Sequence, residues 1–195
     1  GVRTDKVDFV PAADLVYLSR KFWIYLFDNS TMEMRTSRVS DDLLGMDVSA
    51  NGAYVVAHGD ENIFMLDPQT LETLQTIQLQ ALSGYPSTIQ AISVSNTGVL
   101  FCATDPTSNN YQREVLAIDL SGPTLLDRSG MSSPSFEPGE MHITANGEWL
   151  VYDYDTFTFY GQALTTIRNN INAVYLTFMA NGDQFVYRDP FNNSI

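Results

Sequence analysis

The stretch Val48-Ser49-Ala50-Asn51-Gly52-Ala53-Tyr54-Val55-Val56 decides the fold, because the chain repeats its pattern. Further copies lie at residues 94–101, 143–151 and 178–186, and a looser copy lies at residues 10–18. Each copy has apolar residues on both sides of a short polar segment, which ends in glycine in all except the earliest copy. This pattern predicts two antiparallel strands joined by a tight turn, and Asn-Gly favours a two-residue turn with positive φ at both central positions.

The turn glycines recur along the chain at intervals of 35 to 49 residues. They are Gly52, Gly98, Gly147 and Gly182, and successive ones are 46, 49 and 35 residues apart. In the earliest copy the equivalent position is Asp14, which lies 38 residues before Gly52. A repeat of this length built from hairpins is typical of a β-propeller, whose four-stranded blades take about 40 to 50 residues each.

The second half of each repeat predicts another hairpin. Asp28, Asp67 and Asp119 each end an apolar run, and each is followed by turn-forming residues. An aspartate carboxylate at this place can accept backbone N–H groups of the turn. Fourth strands are then expected at residues 32–39, 71–79, 124–128 and 163–168. The pattern at 71–77 also suits a helix, and the surrounding repeat favours a strand.

The sequence therefore predicts one all-β domain over residues 1–195, a β-propeller of four-stranded antiparallel blades. The blades are expected at 7–40, 46–80, 91–130 and 141–172, with a partial blade at 175–195. A β-sandwich is the alternative, but it gives no reason for the same hairpin to recur. Because four and a half blades leave open edges, we expect a larger ring of about seven blades, completed by missing residues or by another chain.

Two segments resemble a known family. Residues 67–77, Asp-Pro-Gln-Thr-Leu-Glu-Thr-Leu-Gln-Thr-Ile, and residues 13–19 are similar to YVTN-type, WD40-like propeller repeats, and the resemblance extends over nearly the whole chain. Residues 159–162 depart from it, because the repeats place Asp and Thr there, and no Trp-Asp pair closes a blade. The resemblance implies a propeller fold and an extracellular or periplasmic location.

Charge and composition exclude several classes of partner. The chain has 10 Lys and Arg against 23 Asp and Glu, a net charge of −13, which repels nucleic acid and anionic lipid headgroups. A hydrophobic fraction of 44% is enough for a packed core, yet no apolar stretch is long enough to span a membrane. The one cysteine, Cys102, lies inside an apolar run, so we expect it to be buried rather than reactive.

One polar position recurs on the first strand of the repeats. It is occupied by Asp47, Ser93, His142 and Thr177, and by Phe9 in the earliest copy. The first strand of a blade lines the central channel, so strand alternation predicts that this row faces the channel or its mouth and binds a ligand. The alternative is structural, because such side chains also satisfy hydrogen bonds between neighbouring blades.

No catalytic constellation is evident. His58 is expected in a loop at residues 58–62, and neither histidine has a second one at metal-ligand spacing. Asp153 and Asp155 lack the oxygen-rich loop of a calcium site. Phosphate-binding glycine loops and nucleophile elbows are missing as well. The sequence therefore predicts no catalytic residue, no metal and no cofactor.

The favoured function is a non-catalytic scaffold that binds a protein or a glycan. The first alternative is a propeller enzyme, since the resemblance extends to lactone hydrolases and to quinone- or metal-dependent dehydrogenases with a site in the central channel, where Asp47 and His142 are expected. The second alternative is a subunit of a surface layer or filament, in which blade edges pair between chains.

Overall fold

The computed structural model describes residues 6–10, 14–40, 42–107, 112–131, 141–152, 155–168, 175–178 and 185–188. These residues form four antiparallel sheets of four strands and one further pair of strands, and the strands of each sheet follow chain order. We number the sheets blades 1 to 5 along the chain.

The strand bounds are as follows. Blade 1 contains β1 (Lys6–Val10), β2 (Leu15–Arg20), β3 (Trp23–Asp28) and β4 (Glu33–Arg38). Blade 2 contains β5 (Gly45–Val48), β6 (Val55–His58), β7 (Asn62–Leu66) and β8 (Thr73–Gln78). Blade 3 contains β9 (Ser87–Val94), β10 (Val99–Pro106), β11 (Glu114–Asp119) and β12 (Thr124–Gly130). Blade 4 contains β13 (Met141–Ile143), β14 (Trp149–Tyr152), β15 (Asp155–Tyr160) and β16 (Ala163–Arg168), and blade 5 contains β17 (Tyr175–Phe178) and β18 (Phe185–Arg188).

The segment that suited both helix and strand is mainly strand. β8 occupies residues 73–78, and the short helix α1 (Leu79–Ser83) begins directly after it. Leu79 is fully buried, whereas Gly84 ends the helix with φ of 83°. Within the described residues, no helix has the length and apolar character needed to cross a membrane.

Three apolar cores lie between successive blades, because strand alternation gives each central blade two apolar faces. Tyr17, Ile24 and Leu26 of blade 1 share the first core with side chains of blade 2 such as Phe64. The second core joins blades 2 and 3, and the third joins blades 3 and 4, where the rings of Phe101 and Phe159 meet edge to face at 5.4 Å. Stability therefore depends on contacts between sheets.

The first turn of each repeat differs from the expected two-residue turn. In blade 3 the N–H of Gly98 donates to the carbonyl of Ser95 at 3.2 Å, and the N–H of Ser95 donates to the carbonyl of Val99 at 2.9 Å. In each described Asn-Gly or Thr-Gly pair, the glycine has positive φ, whereas the residue before it, such as Asn51, does not. The two-residue prediction was wrong, because the loop has three or four residues and contains one left-handed residue, the glycine.

A buried hydroxyl closes each of these turns. Ser49, Ser95 and Thr144 are fully buried, and their hydroxyls accept hydrogen bonds from the backbone N–H groups of Tyr54, Val99 and Trp149, at 3.0, 3.1 and 3.1 Å; these donors lie at the start of the second strand or one residue before it. The repeat therefore carries its turn signal in a hydroxyl residue three positions before the glycine. Asp14, which replaces glycine in the earliest copy, has φ of 55°, in agreement with the proposed alignment.

The predicted aspartate turns are confirmed. Asp28, Asp67 and Asp119 each accept the backbone N–H of the second residue after them, at 2.9, 2.9 and 2.8 Å. The hydrogen bond from the Ser30 hydroxyl lowers the pKa of Asp28, and the backbone N–H of Thr70 lowers the pKa of Asp67. The three carboxylates hold the turn to the fourth strand.

Candidate functional site

The structure brings together two members of the predicted polar row. Asp47 Oδ2 on β5 accepts hydrogen bonds from the Ser93 hydroxyl at 2.9 Å and from the Val94 N–H at 2.7 Å, both on β9. Ser93 is buried, and Asp47 is half-buried. The Asp47 carboxylate therefore joins the first strands of blades 2 and 3, which matches the structural alternative for this pair.

No described hydrogen bond links the other members of the row to Asp47 or Ser93. His142 lies on β13 opposite Val151 and is half-buried. Thr177 lies on β17 opposite Val186, and Phe9 lies on β1 opposite Val16, but the side chains of Thr177 and Phe9 are outside the described part of the structure. Ligand binding by the row stays a prediction.

The turns of successive blades are also linked, a feature that the sequence analysis missed. The N–H of Asn51 donates to Asn96 Oδ1 at 2.9 Å, and the N–H of Asn96 donates to the carbonyl of Ala145 at 2.9 Å. A Cβ added to Gly98 would lie 2.7 Å from the Tyr54 ring, and one added to Gly147 would lie 2.8 Å from Ser95 Cβ. Each of these positions therefore requires glycine for two reasons: its φ is positive, and an added Cβ would collide with the preceding blade.

The outer strands are held by a second set of bonds. Asp127 Oδ2 on β12 accepts the Leu164 N–H of blade 4 at 2.6 Å. In blade 1, the Tyr17 hydroxyl donates to the Pro68 carbonyl at 2.9 Å, and Arg35 donates to the Gln69 carbonyl at 2.7 Å. Burial and the nearby Asp67 raise the pKa of Tyr17, so this hydroxyl remains protonated as a donor.

Glu114 is a buried carboxylate at the edge of the interface between blades 2 and 3. Its Oε1 lies 3.6 Å from Arg128 Nη1, which also donates to the Ser83 carbonyl at 3.1 Å. Burial raises the pKa of Glu114, and the Arg128 guanidinium opposes this shift. The contact attaches helix α1 to blade 3, which is a structural role.

His58 is not in a loop, and that prediction was wrong. It is the last residue of β6, paired with Gly45 and Ile63, and it is 2% exposed. Its ring lies against Gly45, where a Cβ would approach Nε2 to 2.4 Å, and Nδ1 lies 2.9 Å from the Gly59 carbonyl oxygen. The histidine extends the strand because glycine leaves room for its ring, a contact between strands that local sequence does not show.

Within the described residues, the cysteine and carboxylates considered in the sequence analysis form no reactive or metal-binding site. Cys102 is fully buried as predicted, and burial raises the pKa of its thiol well above the usual range. Asp153 lies outside the described residues, and Asp155 is described only as part of β15. In the described part of the chain, no group of three or more His, Cys, Asp or Glu side chains could hold a metal ion.

Blade 1 has one face that no described element covers. Residues paired across strands lie on the same face, so the face opposite the first core carries apolar side chains of all four strands: Val7, Val16, Leu18, Trp23, Tyr25, Phe27 and Met34. We call this set the open face. Val7, Trp23 and Met34 are 62%, 42% and 65% exposed, and the other four are half-buried.

The equivalent positions of blade 3 are completely covered. In blade 3, the residues at the same distances from the turns are Leu100, Cys102, Leu116 and Ile118. They are equivalent in that order to Val16, Leu18, Tyr25 and Phe27, and they have no exposed area. These four side chains belong to the core between blades 2 and 3. The open face thus matches a face that is covered in blade 3, and within the described residues no element lies against it.

A basic row lies at one edge of the open face. Arg20, Trp23 and Arg38 stand directly opposite one another across β2, β3 and β4, and all three are exposed. The Arg38 guanidinium lies 5.8 Å from the ring centroid of Phe22, in cation–π contact. The row combines two positive charges with a flat apolar ring.

Comparisons with known proteins show the fold. No protein-family model matches the chain, and no curated protein matches its sequence. Many solved structures match the chain, and three of them cover most of it as follows. The β-propeller domain of Myceliophteria thermophila Cps50 (Swd1) has a TM-score of 0.58 at 15% identity, covering 96% of this chain and 64% of that one.

The other two structures give a similar result. The WD40 domain of Toxoplasma gondii coronin has a TM-score of 0.67 at 11% identity and covers 86% of this chain and 46% of that one. Dihydro-heme d1 dehydrogenase NirN, in complex with DHE, has a TM-score of 0.60 at 16% identity and covers 86% and 37%. The chain thus spans less than two thirds of each structure.

The predicted β-propeller fold is confirmed by these likenesses and by the four-stranded sheets. Identities of 11% to 16% show the fold alone, so they carry no activity to this chain. The YVTN-type assignment, the seven-bladed ring and the extracellular or periplasmic location stay predictions.

Proposed function

We propose that the chain is a non-catalytic β-propeller scaffold that docks a protein partner on the open face of blade 1. One observation carries the proposal. Apolar side chains of this face, such as Leu18 and Phe27, are half-buried at positions where blade 3 buries its residues completely. A contiguous exposed apolar patch on a folded protein is typical of an interaction surface.

The chemistry of the face favours a protein over a glycan. Val16, Leu18 and Phe27 offer no hydrogen-bonding groups, whereas the hydroxyls of a sugar need polar partners when they leave water. Apolar surface gains about 25 cal/mol for each Å² removed from water, so a complementary apolar surface of a protein binds here at little polar cost.

The other face of blade 1 makes the docking surface rigid. Tyr17, Ile24 and Leu26 are buried in the first core, and Arg35 is bonded to the turn of blade 2. A surface fixed in this way loses little conformational freedom when a partner binds, which favours affinity. Because blade 1 is fixed on blade 2 in this way, it is suited to act as a scaffold for a bound protein.

Photo-crosslinking from two equally exposed positions tests the proposal. Val7 on the open face and Leu74 on the outer strand β8 are both 62% exposed, so each is replaced in turn by p-benzoylphenylalanine. In extract from the source cells, we expect the Val7 probe to form a covalent adduct with a protein identified by mass spectrometry, and the Leu74 probe to form none.

Leu18→Asp supplies the second arm. The charge is placed among the apolar side chains of the open face, while the far-ultraviolet circular dichroism spectrum monitors the fold. We expect the Val7 adduct to disappear while the spectrum is unchanged. Equal adducts from both probes, or an adduct that survives Leu18→Asp, would contradict docking on this face.

A further inference from the structure

Two of the turns between the first and second strands of a blade contain an Asn-Gly pair. The pairs are Asn51-Gly52 in blade 2 and Asn146-Gly147 in blade 4, and a third pair, Asn181-Gly182, lies outside the described residues. In such a pair the backbone nitrogen of glycine can attack the side-chain amide of the asparagine before it, because glycine has no Cβ to hinder the approach. Both described asparagines are exposed, so water reaches them.

The reaction needs water and no other reagent. The N–H of Gly52 loses its proton, its nitrogen forms a bond to Asn51 Cγ, and the bond from Cγ to Nδ2 breaks. Ammonia leaves, and a succinimide ring remains. Water then opens the ring at either carbonyl, which gives aspartate or isoaspartate. In isoaspartate the main chain runs through the former side chain and is longer by one carbon.

The turn of blade 2 holds both reacting groups in hydrogen bonds. The N–H of Gly52 donates to the carbonyl of Ser49 at 2.7 Å. Asn51 Oδ1 accepts hydrogen bonds from the Ser49 hydroxyl at 2.8 Å and from the Ala53 N–H at 3.0 Å. Ring closure takes the glycine proton from its acceptor and draws the asparagine side chain away from its donors. The closed turn therefore opposes the reaction.

The turn of blade 4 has the same set of hydrogen bonds. The N–H of Gly147 donates to the carbonyl of Thr144 at 2.8 Å. Asn146 Oδ1 accepts hydrogen bonds from the Thr144 hydroxyl at 2.7 Å and from the Glu148 N–H at 3.1 Å. Two turns with different sequences thus restrain the asparagine amide in one way, through a buried hydroxyl three positions before the glycine.

The turn of blade 3 has this arrangement without the reactive pair. Thr97 takes the place of the asparagine, and its hydroxyl oxygen lies 2.9 Å from that of Ser95. Asn96 is followed by Thr97, whose branched side chain hinders attack by the backbone nitrogen. Among the described turns of this kind, the reactive pair therefore occurs only in blades 2 and 4.

From these bonds we infer that Asn51 and Asn146 are modification sites, which the hydroxyls of Ser49 and Thr144 keep in the amide form while each turn is closed. Conversion takes place when a turn opens, and it is irreversible because ammonia leaves. The inference is independent of the proposed function, since neither turn belongs to the open face.

Conversion of Asn51 weakens the contact between blades 2 and 3. The backbone N–H of Asn51 donates to Asn96 Oδ1 at 2.9 Å, and Asn51 Nδ2 donates to the Asn96 carbonyl at 3.4 Å. The reaction removes Nδ2 and places a carboxylate beside that carbonyl, while the longer main chain of isoaspartate displaces the turn. A converted chain is therefore expected to unfold at a lower urea concentration than the unmodified chain.

Peptide mapping by mass spectrometry tests the inference. The purified chain is incubated in mildly alkaline buffer made with heavy-oxygen water, so that each conversion incorporates the label, and the chain unfolded in urea gives the reference rate. We expect both sites to convert at least about ten-fold more slowly in the folded chain. Ser49→Ala should raise the rate at Asn51 about three- to ten-fold and leave Asn146 unchanged, because one turn loses one hydrogen bond.

Ser49→Thr is the matched control, because Thr144 occupies the same position in blade 4, and it should keep the slow rate at Asn51. Should Ser49→Ala fail to fold, as judged by circular dichroism, Thr144→Ala gives the same test with the two asparagines exchanged. An unchanged or lower rate beside the altered hydroxyl would overturn the inference, and equal acceleration at both sites of a folded variant would do so too. Equal rates in the folded and unfolded chain would overturn it without any variant.

Discussion

Blade 3 and blade 1 have the same four antiparallel strands in the same order, but in the described part of the chain blade 3 is covered on both sides and blade 1 on one. In blade 3 the positions equivalent to Tyr25 and Phe27 are fully buried, namely Leu116 and Ile118, whereas Tyr25 and Phe27 themselves remain half-exposed. The residue types are similar, so the difference comes from the neighbour and not from the strand.

This contrast shows that a sheet of this size is not the unit of stability. The strands of blade 1 pair without a break in register, yet one face of the blade keeps exposed side chains such as Val7 and Met34. In a repeat architecture, stability is close to the sum of each repeat and its contacts with neighbours. Among the described residues, the open face has no such contact with a neighbouring repeat.

Paired leucine truncations test this contrast with the largest expected effect. Leu100→Ala should lower the free energy of unfolding by about 2–5 kcal/mol, because it leaves a cavity in the core between blades 2 and 3. Leu18→Ala on the open face should cost less than about 1 kcal/mol, because Leu18 is only half-buried. Urea denaturation of dilute protein measures both, and equal losses would show that the face is covered.

Two glycines separate the cost of backbone conformation from the cost of contact between blades. Gly98→Ala should destabilise the chain by about 2–3 kcal/mol, because φ of 80° is strained for alanine and the new Cβ meets the Tyr54 ring. Gly161→Ala, with φ of 58° and no atom within 4 Å, should cost about 1 kcal/mol. Equal urea midpoint shifts would mean that the turns do not press on their neighbours.

The bridge between Asp47 and Ser93 gives a smaller effect. Asp47→Ala removes the acceptor of two hydrogen bonds across a covered interface and should cost about 1–2 kcal/mol. In a double-mutant cycle with Ser93→Ala, we expect a coupling of roughly 0.5–1.5 kcal/mol. Additive losses would remove the structural explanation for this pair and strengthen its predicted role in ligand binding.

The smallest expected effect is on stability as a function of pH, and it concerns the turn that Asp67 closes. Tyr17 and Arg35 of blade 1 donate hydrogen bonds to the backbone of this turn. The pKa of Asp67 is lower in the folded chain than its ordinary 3.8, so its contribution is complete above that value and is lost as pH falls below it. Asp67→Asn should therefore flatten the stability profile below about pH 4. Glu72→Gln is the matched control, and an unchanged profile for Asp67→Asn would contradict the assigned role.

Features set by neighbouring residues could be predicted from the sequence. The Asp28, Asp67 and Asp119 turns need only a carboxylate and N–H groups two positions away, so their pattern is visible in the chain. The repeat also placed strand β8 correctly, although the local pattern suited a helix. Asn-Gly misled us, because loop length depends on which residues pair across the hairpin.

Features set between blades could not be predicted in the same way. Asp47 was singled out, but its bond to Ser93 joins residues 46 positions apart, and nothing local distinguishes it from a ligand contact. The link from Asn51 to Asn96 and the packing of His58 on Gly45 were missed for the same reason. The recurring hydroxyl at Ser49, Ser95 and Thr144 was the one signal present, and it identifies the turn rather than its neighbour.

The contact of each turn glycine with the preceding blade also limits where the chain can be divided into repeats. Gly98 lies against Tyr54, and Gly147 lies against Ser95, so a segment keeps both halves of such a contact only if it contains the glycine and the residue of the preceding blade that the glycine contacts. The glycines Gly52, Gly98 and Gly147 are 46 and 49 positions apart, so the two intervals differ in length by three residues. A unit that keeps these contacts is out of phase with the sheets, so experiments that add or delete blades should keep each turn glycine together with the residue that it contacts.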